Sequence, residues 1–355
     1  MTVLMFIIGL IALVIGAELL VRGASRLATT LGVSPLVVGL TVVAFGTGAP
    51  ELAVSVNAAL SGTTDIAIGN VVGSNILNVL LILGLSALIT PLVVHSQIIR
   101  QEIPILIGAC LLLFVLASDA RIAFLESLLL LAILVAYTVF LIVQSRKETR
   151  EIKEEYAQEN NKTSKWDASI YVQVILILVG LVLLVQGSEW FVDAAVTFAR
   201  LLGVSDIVIG LTIVAAGTSM PEVATSVMAA IKGERDIAVG NVVGSNTFNI
   251  LGCLGVTGLF APEGLIVPTS VLNFDLWVML AVSFACIPVF MTNREIARWE
   301  GGIFVGYYVA YVTYLILASK EHDAIPVFSA VMMSFVVPIT VVTLVVVLIR
   351  KPQVT

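Results

Sequence analysis

Charged side chains are scarce in this sequence. They fill 12% of 355 positions, against 59% hydrophobic residues at a mean hydropathy of +1.10. That leaves too little polar surface to cover a soluble globule, so a polytopic, all-α membrane protein is expected. Histidine occurs twice and cysteine three times. Cys110, Cys253 and Cys286 all fall in apolar runs without ligand spacing, which excludes a disulfide framework or a soft-metal site. No HExxH, no GxSxG and no His-rich set is present, which argues against an enzyme. Basic patches with interleaved aromatics are missing too, so nucleic acid is not a partner. The net charge of −6 says less than the way charge is spread over the loops. The first apolar segment has neither a basic leader nor a small-residue cleavage site and is expected to stay as a helix.

What is abundant is long apolar runs. They fall near residues 3–21, 36–60, 66–90, 102–118, 122–143, 170–187, 207–231, 237–260, 273–291, 301–318 and 326–349, eleven expected spans in the lipid bilayer. One substantial polar linker, 144–168, divides the chain into a first set of five spans (1–143) and a second (169–319), with the span at 326–349 left over. Threading the eleven spans puts fifteen of the eighteen Lys and Arg on one face and only Arg121, Arg200 and Lys320 on the other. The positive-inside rule then places the N-terminus outside and the linker and C-terminus in the cytoplasm.

The chain also contains one stretch twice. Shifting the sequence by 171 positions aligns 32–91 with 203–262 without a gap and with 35 of 60 positions identical; the core motifs are 39–78 and 210–249. Five spans per copy, an odd number, make the second copy enter the membrane from the opposite side, an inverted repeat, and such folds place substrate at the midplane between halves. Pro50-Glu51 and Pro221-Glu222 interrupt the second span of each copy. Proline frees the carbonyls of Gly46 and Gly217 from the helical ladder. A carboxylate in the bilayer costs from about 2.5 to over 10 kcal/mol, so two at equivalent positions demand compensation. Thr47, Glu51 and Ser55 share a helix face, as do Thr218, Glu222 and Ser226, and the next span of each copy adds Ser74 with Asn78, and Ser245 with Asn249. A set of carboxylate, amide and hydroxyl oxygens with no His or Cys suits hard cations such as Ca²⁺ or Na⁺. Asn75 and Asn246 fall elsewhere on their helices and read equally as cross-links. Gly69 with Gly73, and Gly240 with Gly244, have the spacing of close helix approach. Glu18 and Glu189, also related by the offset, lie nearer span ends, where an Arg partner or hydration is expected.

GTGAPE and GTSMPE, each followed 27 residues after its Glu by the Asn of GSNILN and GSNTFN, resemble the two alpha-repeats of the cation/calcium exchanger superfamily, sodium/calcium exchanger type. The resemblance covers the first ten spans. It implies a ten-helix inverted-repeat fold with Glu51 and Glu222 as central ligands; Thr47, Ser74, Thr218, Ser219, Ser245, Asn78, Asn249 and the backbone carbonyls of Ala44 and Ala215 complete the cation sites. It also implies Ca²⁺/Na⁺ exchange across the plasma membrane (the inner membrane of the cell), with the first and sixth helices gliding over the rest. Ca²⁺ and Na⁺ are then substrates, no cofactor is needed and no obligate protein partner is indicated. Three features depart from the family pattern: Gly48 in place of Ser, Asn249 in place of Asp, and the eleventh span. Two other readings stay open, an H⁺/Ca²⁺ antiporter and a cation channel; the single-chain pair of half-sites speaks against the channel.

The orientation is checked by placing a cysteine in the 144–168 linker. A membrane-impermeant thiol reagent should label it in inside-out vesicles and leave it unlabelled in right-side-out ones.

Overall fold

The structure is a computed structural model that describes residues 2–159, 167, 169–203, 209, 212–213, 215–319 and 322–349, with backbone alone for 146–159, 215, 344 and 346–349. Its helices are α1 (Thr2–Leu31), α2 (Pro35–Thr47), α3 (Ala49–Leu60), α4 (Thr64–Ile89), α5 (Ile98–Asp119), α6 (Phe124–Glu159), α7 (Ile170–Leu201), α8 (Met220–Ile231), α9 (Arg235–Leu259), α10 (Val271–Met291), α11 (Arg298–Ser319) and α12 (Ile325–Thr343). Among the described residues nine helices are long and apolar enough to cross a membrane, ten if α2 and α3, bent by 43° at their junction, count as one span. The expected span at 207–231 is seen as the turn Ala215–Gly217 and α8, and its start lies outside the described residues, as do most of the linker beyond Glu159 and the last basic residues.

Local chemistry sets the boundaries. Ser34 caps α2 by accepting from the Val37 N–H, and Pro35 takes the first helical position, where a missing N–H costs nothing. Gly62 and Gly233 end α3 and α8 with φ of 76° and 80°, a left-handed turn that glycine adopts freely. Two helices outrun their apolar windows: α1 continues past residue 21 through Arg22 and Arg26, and α7 past 187 to Leu201. Hydropathy windows stop where charges accumulate, whereas a helix continues if those charges find partners. Here Arg22 and Arg26 reach the buried Asp167 at 2.9 and 3.4 Å.

α1 and α7 pack backbone to backbone. A Cβ on Gly16 would sit 2.9 Å from the Gly180 carbonyl oxygen and the Leu184 nitrogen, and one on Gly9 would sit 2.7 Å from the Phe191 nitrogen. Gly180 and Gly187, the 171-residue counterparts of Gly9 and Gly16, return the same contact from the other side. Close approach of this kind drives helix association where lipid removes the hydrophobic incentive.

The rest of the molecule repeats the exchange of partners. Strand β1 (Leu92–Val93) pairs with β4 (Glu295–Ile296), and β2 (Arg121–Ile122) with β3 (Leu265–Ile266), both antiparallel. Each ladder joins the loop after the third span of one half to the loop after the fourth span of the other. It is extended by a left-handed residue: the Arg294 carbonyl accepts from Val94 N–H and the Ala120 carbonyl from Val267 N–H. α5 and α10 both open with a π-helical turn, Ile98–Glu102 and Val271–Asp275, and there a carboxylate accepts from a tyrosine hydroxyl of the following helix, Tyr137 to Glu102 at 2.6 Å and Tyr311 to Asp275 at 2.7 Å. These two matched pairs were not anticipated from sequence, because the offset there has drifted from 171 to 173 and 174. The leftover helix α12 sits at the edge, held to α11 by the Tyr307 hydroxyl donating to Thr340 at 2.6 Å.

The glycine seam yields a prediction. Gly16→Leu should push α1 off α7 and lower the melting temperature of the detergent-solubilised protein by several degrees or abolish its monodisperse elution. Gly108→Ala, at a position with no neighbour within 4 Å, should change neither.

Candidate cation site

Both glutamates occupy the third residue of a helix, Glu51 in α3 and Glu222 in α8, directly after a proline in the second position. At these helix starts several N–H groups lack intrahelical partners, and the positive end of the helix dipole favours an anion. The break before α3 falls at Gly48, with φ −76° and ψ 0°. Of the two carbonyls expected to be released by the prolines, that of Gly217 is indeed taken up outside the ladder, by the Ser188 hydroxyl of α7 at 2.7 Å. That partner is a side chain of this protein, so the Gly217 oxygen points to α7 and is tied there. The Ala44 carbonyl accepts the Gly48 N–H at 3.0 Å and lies 3.5 Å from the Thr47 hydroxyl. Ala215 begins the short turn before α8.

The expected side chains converge. Glu51 and Glu222 are 0% and 1% exposed, and Thr47, Ser74, Asn78, Ser219, Ser245 and Asn249 are all buried with them. Ser219 donates to Glu51 Oε1 at 2.8 Å and stands 3.1 Å from Ser74 Oγ, so a hydroxyl of one half caps the carboxylate of the other. Thr47 and Ser245 neighbour Glu222, as Thr218 does Glu51. Four further asparagines, two of them unforeseen, organise this set. Asn70 donates to Ser55 Oγ and the Glu51 carbonyl and accepts from Thr218 at 3.3 Å; its counterpart Asn241 donates to Ser226 Oγ and accepts from Thr47 at 3.2 Å. A hydroxyl whose proton is spoken for presents only lone pairs to its other side. The sequence signal for Asn70 and Asn241 was their identity across the duplication.

Asn75 and Asn246 do cross-link the halves, and in doing so they fix chemistry. The Asn75 amide nitrogen donates to the Asn246 backbone carbonyl at 3.3 Å, and that of Asn246 to the Asn75 carbonyl at 3.2 Å. A carbonyl only accepts, so the nitrogen of each amide is identified and its oxygen must face elsewhere. That oxygen accepts the next amide along: Asn249 Nδ2 donates to Asn75 Oδ1 at 3.3 Å, and Asn78 Nδ2 to Asn246 Oδ1 at 2.9 Å. The remaining oxygens of Asn78 and Asn249 are thereby turned away from the cross-link. Both residues also begin π-helical turns, Asn78–Leu83 and Asn249–Cys253, which shift the side-chain register locally.

Several buried oxygens find no hydrogen-bond donor: Glu51 Oε2, both oxygens of Glu222, Asn78 Oδ1 and Ser245 Oγ. Buried oxygens left this way are costly unless something else binds them. Among the described residues no three of His, Cys, Asp and Glu come together. The available donors are therefore two carboxylates among neutral oxygens, the chemistry of an alkaline-earth or alkali cation. Gly240 and Gly244 of α9 bring the backbone of α2 close, with a Cβ on Gly244 meeting Leu40 Cα at 2.7 Å. Their counterparts Gly69 and Gly73 meet nothing within 4 Å among the described residues. Glu18 pairs with Lys232, a lysine and not the arginine expected, because the turn after α8 brings that residue beside α1. Glu189 accepts from Gln186, one turn away.

The sodium/calcium exchanger protein family matches residues 1–143 and 172–317. The chain belongs to that family. The sodium/calcium exchanger MaX1 of Methanosarcina acetivorans is 35% identical to it, over 88% of this chain and 97% of the relative. The inner membrane protein YrbG of Escherichia coli is 33% identical, over 88% and 95%. Among solved structures, the sodium-calcium exchanger NCX_Mj soaked with Na⁺ and Ca²⁺ superposes with a TM-score of 0.74 at 32% identity, covering 88% of this chain and 97% of that one. The family match ends at residue 317, so α12 lies beyond it.

The asparagine cross-link predicts that Asn75→Leu, by removing the acceptor that holds the Asn249 amide, weakens Ca²⁺ binding about tenfold. Calorimetric titration of the folded variant checks this. A purely structural bond would lower the melting temperature and leave the affinity alone.

Proposed function

We propose that this exchanger-family member is a secondary antiporter that exchanges Ca²⁺ for Na⁺ across the plasma membrane by alternating access. The reading takes 1–143 and 169–319 as two inverted repeats, with the N-terminus outside and the C-terminus in the cytoplasm. The observation that carries it is the buried pair Glu51 and Glu222, one from each half, with Glu51 Oε2, both Glu222 oxygens, Asn78 Oδ1 and Ser245 Oγ left without a hydrogen-bond donor. MaX1 and NCX_Mj are named as sodium/calcium exchangers, which supports Na⁺ as the coupling ion.

Charge balance gives the mechanism its logic. Two ionised carboxylates are neutralised by one Ca²⁺ or by two Na⁺. With neither bound, two negative charges would have to move within a low-dielectric protein, which is expensive, so the empty carrier does not cross over and exchange is obligatory. Ca²⁺ enters by trading its hydration shell for Glu51 Oε2, both Glu222 oxygens, Asn78 Oδ1 and the flanking hydroxyls. Two Na⁺ displace it by meeting the same charge with smaller separate demands on coordination. The moving part is α1 with α7, which the glycine seam makes one body. Its sliding must break the contacts that tie α1 to the α8–α9 turn, Glu18 with Lys232 and Ser25 with Glu234 at 2.7 Å.

Purified protein in sealed vesicles loaded with Na⁺ should take up ⁴⁵Ca²⁺ in proportion to the outward Na⁺ gradient. Uptake driven by H⁺ and indifferent to Na⁺ would identify a proton-coupled exchanger, and uptake without any counter-gradient a channel. Glu51→Gln and Glu222→Gln each remove one of two charges about 2.5 Å from the ion, worth several kcal/mol at an effective dielectric near 20, and each should abolish exchange in a folded protein.

A further inference from the structure

The two halves agree at 35 of 60 aligned positions, yet differ at four that meet in space. Where the second half has Ala216, Ser219 and the first has Leu77, Leu81, their counterparts are Phe45, Gly48, Phe248 and Gly252. The Phe248 ring stacks on Phe45 with centroids 4.6 Å apart. It fits only because two glycines leave room: a Cβ on Gly48 would meet the ring at 2.9 and 3.1 Å, and a Cβ on Gly252 would meet its other edge at 2.8 Å. Aromatic and glycines have thus been exchanged together, a large-for-small replacement that keeps the packing density of the interior.

The exchange falls on the cation site. Ser219 supplies the hydroxyl that donates to Glu51 Oε1. Its counterpart Gly48 has no hydroxyl to offer Glu222, and both Glu222 oxygens are without a donor. The space into which a side chain at position 48 would extend is filled by the ring. We propose that Phe248, seated between Gly48 and Gly252, makes the two ends of the site unequal: the Glu51 end has a serine hydroxyl, the Glu222 end an aromatic wall and one oxygen ligand fewer. Phe248 is in this sense a specificity-determining residue, setting how many oxygens a cation beside Glu222 can gather. The proposal rests on the cation-exchange function above. Hard cations gain affinity with each oxygen ligand and nothing comparable from a phenyl edge. A serine that donates its proton to a carboxylate keeps its lone pairs for a cation, so restoring it should strengthen the Glu222 end.

The test is a set of variants read by calorimetric Ca²⁺ titration in detergent and by the Na⁺ dependence of ⁴⁵Ca²⁺ uptake in vesicles. The double variant Gly48→Ser with Phe248→Leu, which gives each position the residue type of its counterpart, Ser219 and Leu77, should bind Ca²⁺ roughly three- to tenfold tighter than the parent and show a steeper Na⁺ dependence. Gly48→Ser alone should melt lower without tightening, because the ring is still there. Ser219→Gly, removing the hydroxyl at the other end, should weaken binding by a similar factor and needs no repacking. Unchanged affinity and steepness in the double variant, a Gly48→Ser protein as tight as the double, or unaltered binding in Ser219→Gly would each overturn the inequality. A parent that binds Ca²⁺ but shows no Na⁺-driven uptake sinks Na⁺ coupling and leaves the binding comparison to decide this proposal. A parent that binds no Ca²⁺ sinks both.

Discussion

Everything in this protein depends on holding two carboxylates inside a structure that offers them no basic partner. Glu51 and Glu222 are buried, and the salt bridges seen among the described residues lie elsewhere, at Arg22, Arg26 and Lys232. In a soluble protein such a pair would be stabilised by an arginine or by water. Here the helix N-termini and the Ser219 hydroxyl offer partial positive charge without neutralising the pair. The protein is therefore built to need a mobile cation. A lysine in the site would have satisfied the electrostatics and ended transport.

The second constraint is directional. An amide can offer a cation its oxygen or repel it with its nitrogen, and nothing about an isolated asparagine decides which. The reciprocal bonds between Asn75 and Asn246 decide it, since both end on backbone carbonyls, which only accept. The same logic runs through Asn70 and Asn241, whose oxygens take up the threonine protons of the opposite half. Each of these bonds joins one half to the other, so the site's polarity exists only when the two halves are docked.

Much of this was legible in the sequence because the duplication acts as an internal control. A Pro-Glu pair once in an apolar run is a curiosity; twice at an offset of 171 it is a candidate site, and helical spacing put Thr47, Ser74, Asn78 and their counterparts beside it, the residues that the family resemblance implies as ligands. What spacing could not supply was the partner across the interface. Asn70 and Asn241 were overlooked because they lie on the helix after each glutamate, one turn from the expected ligands, and their role depends on a contact between halves. Helix lengths were underestimated for a related reason: a hydropathy window ends at Arg22, while the helix continues because Asp167, far along the chain, receives that charge.

The duplication also carries a lesson in its failures. Where the copies agree, they describe what both ends of the site must do; where they differ, they describe what each end does alone. Phe45, Gly48, Phe248 and Gly252 lie at scattered sequence positions, and each substitution taken singly is unremarkable. Only the packing shows that a ring on one helix requires the absence of side chains on two neighbouring turns. Close-packed interiors leave no room for the Phe248 ring together with a side chain at position 48 or 252, so these positions are coupled. A hydroxyl at position 48 is then excluded by the packing of Phe248 and not merely missing. Duplicated halves need not have equal half-sites, because a change confined to one copy alters the surroundings of one carboxylate and leaves the other as it was.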